Sequence, residues 1–195
     1  MIPTTPALLI AAAQTYVGIV HDGLLAQQLL AQVWAGPRAE HVLHWDVAFV
    51  HHVGYWSHAN PAGAASSWPL APSATCDELF ALAERQRAVR EDPRAGDIFL
   101  LKSSLDERFH RTGIVVQVDS QRHTDREGKM YQECITIEGD SDPTMARFGG
   151  QVLRHQRRLS GARGDRFIRW TALDARIVHS SEARHLEDSV LQDAA

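Results

Sequence analysis

The sequence predicts an α+β domain, because helical patterns fill its first half and short β-prone runs fill its second half. Up to about residue 87, apolar side chains recur at helical spacing between turn-forming residues. From about residue 98, short runs of β-prone residues alternate with turn residues. Helices followed by antiparallel strands are typical of an α+β protein, and neither an internal repeat nor a domain boundary is indicated.

Three helices are expected before residue 60. The first covers residues 7–16, which are apolar on most faces, as in a buried helix. The second covers residues 24–34, where the same pattern stops at Gly36. The third covers residues 45–56, with apolar side chains at most of its positions.

A fourth helix is expected after a loop at residues 60–72, which is rich in proline, glycine, serine and alanine. Ser73 or Thr75 can cap this helix, because a hydroxyl oxygen accepts the free backbone N–H groups of a first turn. Glu78 follows Thr75 by three residues, which fits a capping box. The helix is expected to end at about residue 87.

The second half is expected to form short strands. A turn at residues 93–97 leads into the first of them. Each run is rich in β-branched or aromatic residues and is bounded by turn residues. The expected strands are residues 98–101, 113–118, 134–137, 152–156 and 167–170.

Length and composition fit one globular domain, expected at residues 1–179 and followed by a polar tail at 180–195. The chain has 195 residues, of which 44% are hydrophobic and 23% charged. A net charge of -4 argues against a general nucleic-acid binder. No run of 18 apolar residues is present, so no membrane-spanning segment is expected. The first six residues lack the basic region of a signal peptide, which favours a cytoplasmic location while leaving another export route open.

The cysteines give no indication of a metal centre. Cys76 and Cys134 could form one disulfide, but two free thiols are expected, because disulfides are rare in cytosolic proteins. The sequence has no C-x-x-C spacing of the kind that binds zinc, and no cofactor is expected. Cys134 shares a β-prone run with Ile135 and Ile137 and is expected in the core.

Three segments carry a resemblance to a known enzyme family. They read HWDVAFV at residues 44–50, RTGIVV at 111–116 and ITIEGD at 135–140. In this order they resemble the CHAP family, the cysteine/histidine-dependent amidohydrolases/peptidases of bacterial cell-wall metabolism, whose first two motifs read WCAxFV and HxGIV. The resemblance covers about residues 7–170. Further similar segments are YVG at 16–18, AGDIF at 95–99 and FIR at 167–169.

The resemblance implies a papain-like fold, with the catalytic Cys at the N-terminus of a core helix and the catalytic His on a facing strand. Asp46 stands at the Cys position of this chain and Arg111 at the His position. Glu138, or alternatively Asp140, stands where a third polar residue orients the imidazole. The chain therefore resembles an amidase or peptidase in which both reacting residues are replaced.

Asp46 and Arg111 preserve the charge pattern of a thiolate–imidazolium pair without its chemistry. The helix dipole favours a carboxylate at a helix start, but that carboxylate is a poor nucleophile toward an amide. Arg111 stays protonated and cannot act as a general base. We expect the two side chains to contact each other, with Glu138 either joining them or lying in solvent at a strand end. The alternative for Asp46 is a structural N-cap.

Two residues are alternative members of a working site. Cys76 lies near the N-terminus of the fourth helix, which can lower the pKa of a thiol. The resemblance places that helix away from the cleft, and a structural thiol is the other interpretation of Cys76. His110 precedes Arg111, so on a regular strand it points to the opposite face, whereas a β-bulge would turn it into the cleft.

Five histidines lie between residues 41 and 58. His44, His51 and His58 recur every seven residues and share one helix face, but seven residues span about 10 Å, too far for one metal ion. We expect a surface or partner-facing stripe and no metal site. Further candidates for ligand contact are Trp45, Tyr55, Trp68 and Asp140.

A basic segment follows near the end of the expected sheet. The default interpretation is a solvated strand face, and the alternative is a site for an acidic ligand such as a peptide carboxylate. Its members are Arg157, Arg158, Arg163, Arg166 and Arg169.

Three functions compete on this sequence. The first is a catalytically degenerate CHAP-like domain that binds a peptide, glycopeptide or protein partner in its cleft without cleaving it. The second is an active amidase or endopeptidase on cell-wall peptides, which would use Cys76 or a water activated by Asp46. An adjacent Arg111 opposes the water mechanism, because it would lower the carboxyl pKa that a general base needs raised. The third is a metal-dependent hydrolase that uses the clustered histidines.

Overall fold

A six-stranded antiparallel sheet with three helices packed on it forms the described part of the protein. The computed structural model describes residues 6–20, 45–57, 70–141 and 151–169, with the backbone alone at 140 and 141. The strand order is β1-β6-β2-β3-β4-β5, and this arrangement confirms the α+β class. The elements are α1 (Pro6–Thr15), α2 (Trp45–Ser57), α3 (Cys76–Arg85), β1 (Val89–Arg90), β2 (Ile98–Lys102), β3 (Phe109–Thr124), β4 (Met130–Ser141), β5 (Gln151–Leu159), a 3-10 turn (Gly161–Arg163) and β6 (Arg166–Ile168).

The helices that fall on described residues lie where the sequence predicts them. α1 and α2 each match the expected span to within one residue at either end. The hydroxyl of Thr75 caps α3 by accepting the N–H of Glu78 at 3.2 Å, and the Glu78 carboxylate accepts the N–H of Ala74 at 2.6 Å. α3 ends at Arg85, slightly earlier than expected. Outside the described residues lie the helix expected at 24–34, most of the loop expected at 60–72 and the tail expected at 180–195.

β3 and β4 extend well beyond the strands that the sequence predicts. β3 alone has 16 residues, and its second half is largely exposed to solvent. The alternation of apolar and polar residues ends where both faces of the hairpin meet water, so that pattern predicts only the buried half. β1 has two residues and was not expected, because two residues carry no periodic signal.

The two faces of the sheet carry separate apolar clusters. Alternate residues of β2 and β3, such as Ile98 and Ile114, pack with the helices in the main core. A smaller cluster on the other face includes Phe99, Val115 and the buried Cys134. Both cysteines are free, as expected. Among the described helices none is long and apolar enough to cross a membrane.

Gly139 allows the start of α2 to lie directly on β4. A Cβ atom at this position would come within 2.7 Å of the Trp45 ring and 2.8 Å of the Phe49 side chain. Both aromatic residues are almost fully buried and their rings stack at 6.4 Å between centroids. The absence of a side chain at Gly139 therefore fixes how closely the first turn of α2 approaches the sheet.

Candidate functional site

The carboxylate of Asp46 connects three elements of the fold. It lies in the first turn of α2 and the residue is 2% exposed. Its Oδ1 accepts the N–H of Val47 at 2.8 Å, and its Oδ2 accepts the N–H of Thr112 in β3 at 2.9 Å. The Sγ of Cys76, the first residue of α3, donates to the same Oδ2 at 3.9 Å. Asp46 thus binds a helix start, as expected, although α2 begins at Trp45, so Asp46 is not its N-cap.

Thr112 offers its N–H group to Asp46 at the point where β3 and β4 separate. The pairing of these strands begins with Ile114 opposite Ile137. On its other side Thr112 stays tied to β2, since its hydroxyl donates to the Phe99 carbonyl at 2.7 Å. A charged acceptor makes a stronger bond than a carbonyl, so Asp46 replaces the missing strand partner without leaving a buried donor unsatisfied.

Cys76 lies against Asp46, which corrects the expectation that α3 is remote from this position. The thiol is fully buried. Burial raises its pKa well above the ordinary value, and the charges of Asp46 and Asp77 raise it further, against a smaller opposite effect of Arg111. The expected lowering of the pKa by a helix N-terminus is therefore wrong, because desolvation outweighs the dipole. Cys76 is a protonated donor.

Arg111 lies half-buried in β3 opposite Leu101 of β2. Burial lowers the pKa of His155 in β5, the charge of Glu138 opposes this, and the smaller effects of Arg157 and Arg111 lower it. Arg111 is therefore close enough to influence both β5 and the Cys76 thiol. Contact between Arg111 and the Asp46 carboxylate stays a prediction.

His110 lies at a β-bulge. The pairing of β2 with β3 shifts between Leu101 and Lys102, opposite this residue, so the bulge considered from the sequence is present. The imidazole Nε2 lies 2.8 Å from both oxygens of Asp106, and the side chain is 29% exposed. His110 is thus held at the protein surface by Asp106, in the turn that joins β2 to β3.

Glu138 is fully buried, which corrects the alternative that it is a solvated carboxylate at a strand end. Arg157 of the neighbouring β5 donates to it through Nε at 2.8 Å and through Nη2 at 2.6 Å. The hydroxyl of Thr136 donates to the same carboxylate at 2.5 Å. The buried charge therefore has a bidentate counter-ion and a hydroxyl donor, as such a charge requires. A direct contact of Glu138 with Arg111 stays a prediction.

Several arginines of the basic segment are engaged, so a uniformly solvated strand face is wrong. Arg157 is the partner of Glu138. Arg169 is 12% exposed in its side chain and lies 3.1 Å from Asp97. Arg163 lies 2.6 Å from Asp125. Only Arg158, with a side chain 63% exposed, fits the solvated description among these four.

Two histidines of the cluster are buried, and the burial of His51 corrects the expectation that it belongs to a surface stripe. His51 is 0% and His52 is 3% exposed. The Nε2 of His51 accepts the N–H of Ser73 at 3.2 Å, so this nitrogen carries no proton, and the Nε2 of His52 lies 2.8 Å from the hydroxyl of Tyr16. Within the described ranges no group of three His, Cys, Asp or Glu side chains is placed to hold a metal ion. His41, His44 and His58 lie outside those ranges.

The buried histidines should make the protein less stable in acid. Burial lowers the pKa of His51 and of His52 from 6.5 to about 4. The unfolded chain takes up these protons at higher pH than the folded chain. The contribution of the two neutral histidines to the free energy of unfolding is therefore complete above pH 6.5 and is lost as pH falls through 4. Each residue should account for about 2–3 kcal/mol of that loss. Urea unfolding at about pH 7.5 and about pH 4.5 measures it.

Comparing variants isolates the contribution of the histidines to the loss of stability in acid. The comparison is needed because the Asp97 carboxyl has the opposite effect on stability. Burial raises the pKa of the Asp97 carboxyl to about 6, despite the opposing effect of Arg169, so this group stabilises the fold as pH falls. His51→Gln and His52→Gln should therefore each lose less stability on acidification than the wild type. His110→Gln removes a surface histidine and serves as the control. Equal acid losses in all four proteins would contradict the interpretation.

The four candidate ligand contacts have different outcomes. Trp45 is 3% exposed and packs on Gly139, so it is a core residue and cannot present its ring to a ligand. Tyr55 is half-buried against the main core. Trp68 lies outside the described residues, and so does the side chain of Asp140.

Two surface hollows in the described structure lie away from Asp46. The smaller, about 220 Å³, is lined by residues such as Asp92, Tyr131 and Ser160. The larger, about 440 Å³, lies over β3, β4 and β5, is lined among others by Ile135 and Gln156, and is called the β5 hollow below. Neither includes a residue of the expected catalytic positions.

The sequence did not indicate two groups that complete these contacts. Thr112 contributes its backbone N–H to Asp46, for which a sequence has no residue-specific signal. Arg157 contributes its side chain to Glu138. Side chains alternate between the two faces along each strand, so the β4–β5 register places both residues on one face of the sheet. The sequence does not give that register.

Comparison with known proteins adds no relative to this picture. No family model matches the chain, and neither does any curated protein or solved structure. The assignment of function therefore rests on the geometry above and on the resemblance of the motifs.

Proposed function

We propose that this protein is a catalytically degenerate CHAP-like domain with a papain-like fold, which binds a peptide, glycopeptide or protein partner without cleaving it. The observation that carries the proposal is the saturation of the Asp46 carboxylate, at the position where the resemblance expects the nucleophile. It accepts two backbone N–H groups and a thiol while it is 2% exposed.

A carboxylate held in this way is unsuited to hydrolysis. A general base needs an oxygen within hydrogen-bond reach of the attacking water, and a nucleophile needs an open approach to the carbonyl carbon. Both oxygens of Asp46 are engaged by buried donors. The same bonds account for an aspartate here, since they join α2 to β3. Asp46 therefore has a structural role at the position where the family has its nucleophile.

Cys76 does not supply a substitute nucleophile. The thiolate is the reactive form, and burial with two nearby carboxylates raises the pKa of this thiol well above its ordinary range. The side chain is also fully buried. His110, the other alternative member of a working site, is bound to Asp106 at the surface. These observations favour a structural role for Cys76 over an active amidase.

The histidine-dependent hydrolase is also disfavoured by the described part of the chain. His51 is engaged by Ser73, and His52 lies against Tyr16. Each is therefore used in packing, and within the described ranges neither belongs to a group of three side chains placed to hold a metal ion.

Peptidoglycan fragments should bind to the purified protein and remain intact. Mass spectrometry follows bond cleavage, and calorimetry on the same samples follows binding. Cys76→Ala is tested alongside, with Cys134→Ala as the matched control for loss of a buried thiol. Cleavage that disappears only in Cys76→Ala would overturn the degenerate-enzyme proposal. Binding without cleavage supports the proposal. If the fragments are neither bound nor cleaved, they are excluded as the ligand.

A further inference from the structure

β5 forms an edge of the described sheet, and among the described residues the outer side of this edge is paired at its start alone. β5 is the last strand in the order and pairs with β4 along its inner side. On the outer side, Gly18 donates to the Val152 carbonyl at 2.8 Å and Val152 donates to the Ile19 carbonyl at 2.9 Å. Beyond Val152, no described residue bonds to the outer edge.

The register identifies the backbone groups that remain available. In an antiparallel pair, alternate residues direct both their N–H and their C=O groups to the same side. Val152 directs both outward, and pairing with β4 is regular from Leu153 to Leu159. The outward groups are therefore those of Arg154, Gln156 and Arg158, whose side chains are all exposed. They form a continuous row of three donors and three acceptors.

The side chains of this row make the edge positive and place it beside a hollow. Arg158 lies 3.5 Å from Glu133, with its side chain 63% exposed, and Arg154 has no charged partner among the described residues. Gln156, midway between them, lines the β5 hollow of about 440 Å³. Side chains of an added strand on this face would lie next to that hollow, since adjacent strands are about 4.8 Å apart.

The charges on the edge argue against pairing with a second copy of the chain. Antiparallel pairing of two β5 edges around Gln156 would place Arg154 of each copy opposite Arg158 of the other. Like charges directly opposite each other destabilise a sheet, and natural edges use them to prevent self-association. The same two charges attract a strand that carries carboxylates at the matching positions.

We propose that the outer edge of β5 binds an extended acidic peptide by strand addition. The backbone of the peptide pairs with Arg154, Gln156 and Arg158, and two of its carboxylates, four residues apart, lie opposite the two arginines. Main-chain bonds supply affinity in this mode of recognition, and side-chain positions supply selectivity. This surface shares no residue with the Asp46 site, so the inference stands whether or not that site binds cell-wall fragments.

The probe is the fluorescein-labelled peptide TEVQVET with blocked termini, titrated with the full chain and followed by anisotropy. The wild type should bind it, and Arg154→Glu/Arg158→Glu should weaken binding by about tenfold or more. The reversed variant should instead prefer TKVQVKT. Arg122→Glu/Arg126→Glu changes two exposed arginines of the β3–β4 hairpin and should leave the affinity unchanged.

Two further measurements distinguish strand addition from simple charge attraction. A TEVQVET probe N-methylated at alternate residues keeps its charges and loses its donors to β5, so it should bind about tenfold more weakly. Gln156→Pro removes one outward N–H and no backbone bond to β4, together with the exposed side-chain bond from Gln156 to Glu133. It should weaken binding likewise. Failure of the wild type to bind TEVQVET, equal binding of the N-methylated probe, or indifference to charge reversal would each overturn the proposal.

Discussion

Replacing Arg157 with alanine should destabilise the protein by about 3–5 kcal/mol. The guanidinium makes two hydrogen bonds to Glu138, a carboxylate with no solvent exposure. Removing one partner of a buried pair leaves the other charge poorly compensated, and this cost exceeds the net value of the intact pair. Urea unfolding at neutral pH measures the effect as a shift of the midpoint at constant slope.

The neighbouring arginine provides a matched control. Arg158 pairs with Glu133 at 3.5 Å and is largely exposed, so Arg158→Ala should change stability by less than about 1 kcal/mol. Arg157→Met/Glu138→Leu removes both charges together, and it should be considerably more stable than Arg157→Ala because no buried charge remains. Equal effects of the two single alanine variants would contradict the assigned burial of the pair.

Replacing Asp46 with alanine should destabilise the protein by about 3 kcal/mol. The change removes the acceptor of the buried N–H of Thr112, of an N–H in the first turn of α2 and of the Cys76 thiol. A buried donor left without an acceptor costs about 1–3 kcal/mol, and a lost carboxylate at a helix start adds to this. Urea unfolding again measures the change.

Asparagine at this position tests whether two acceptor oxygens are needed. Asp46→Asn keeps the shape of the side chain and one acceptor oxygen. Its amide NH2 group then faces a donor that the second carboxylate oxygen had bound, so this variant should be destabilised by about 2 kcal/mol. Asp119→Ala changes an exposed aspartate of β3 that accepts the N–H of Gln121, and it should change stability by less than about 0.5 kcal/mol. If Asp46→Ala is as stable as Asp119→Ala, the carboxylate does not connect the three elements.

The sequence was sufficient for the elements with a strong local signal. Apolar residues on nearly all sides predicted α2, and the spacing of Thr75 and Glu78 predicted the start of α3. The sequence does not predict the exposed half of β3, because apolar and polar residues do not alternate along a strand whose two faces are both in solvent. Local patterns therefore indicated which segments form helices and strands, and tertiary burial determined how far the strands extend.

The candidate site was harder to predict because its contacts join distant segments. The position of Asp46 at a helix start followed from the sequence, but its bond to Thr112 is set by where β3 and β4 separate. A helix start predicts a lowered pKa for the Cys76 thiol, whereas burial and the nearby carboxylates at that start raise it. A helix N-terminus predicts an activated thiol only when the thiol also reaches water.

The position of β6 has a consequence for how the nascent chain folds. β6 lies between β1 and β2, with Ile168 opposite both Val89 and Ile98, although it follows them by about seventy residues of synthesis. Until it emerges from the ribosome, β2 has an unpaired edge, and no strand lies between β1 and β2 to join them by backbone hydrogen bonds. Folding of the sheet is therefore completed after synthesis of nearly all the described chain, and Arg169, which donates its N–H to the Ala88 carbonyl, secures the final strand.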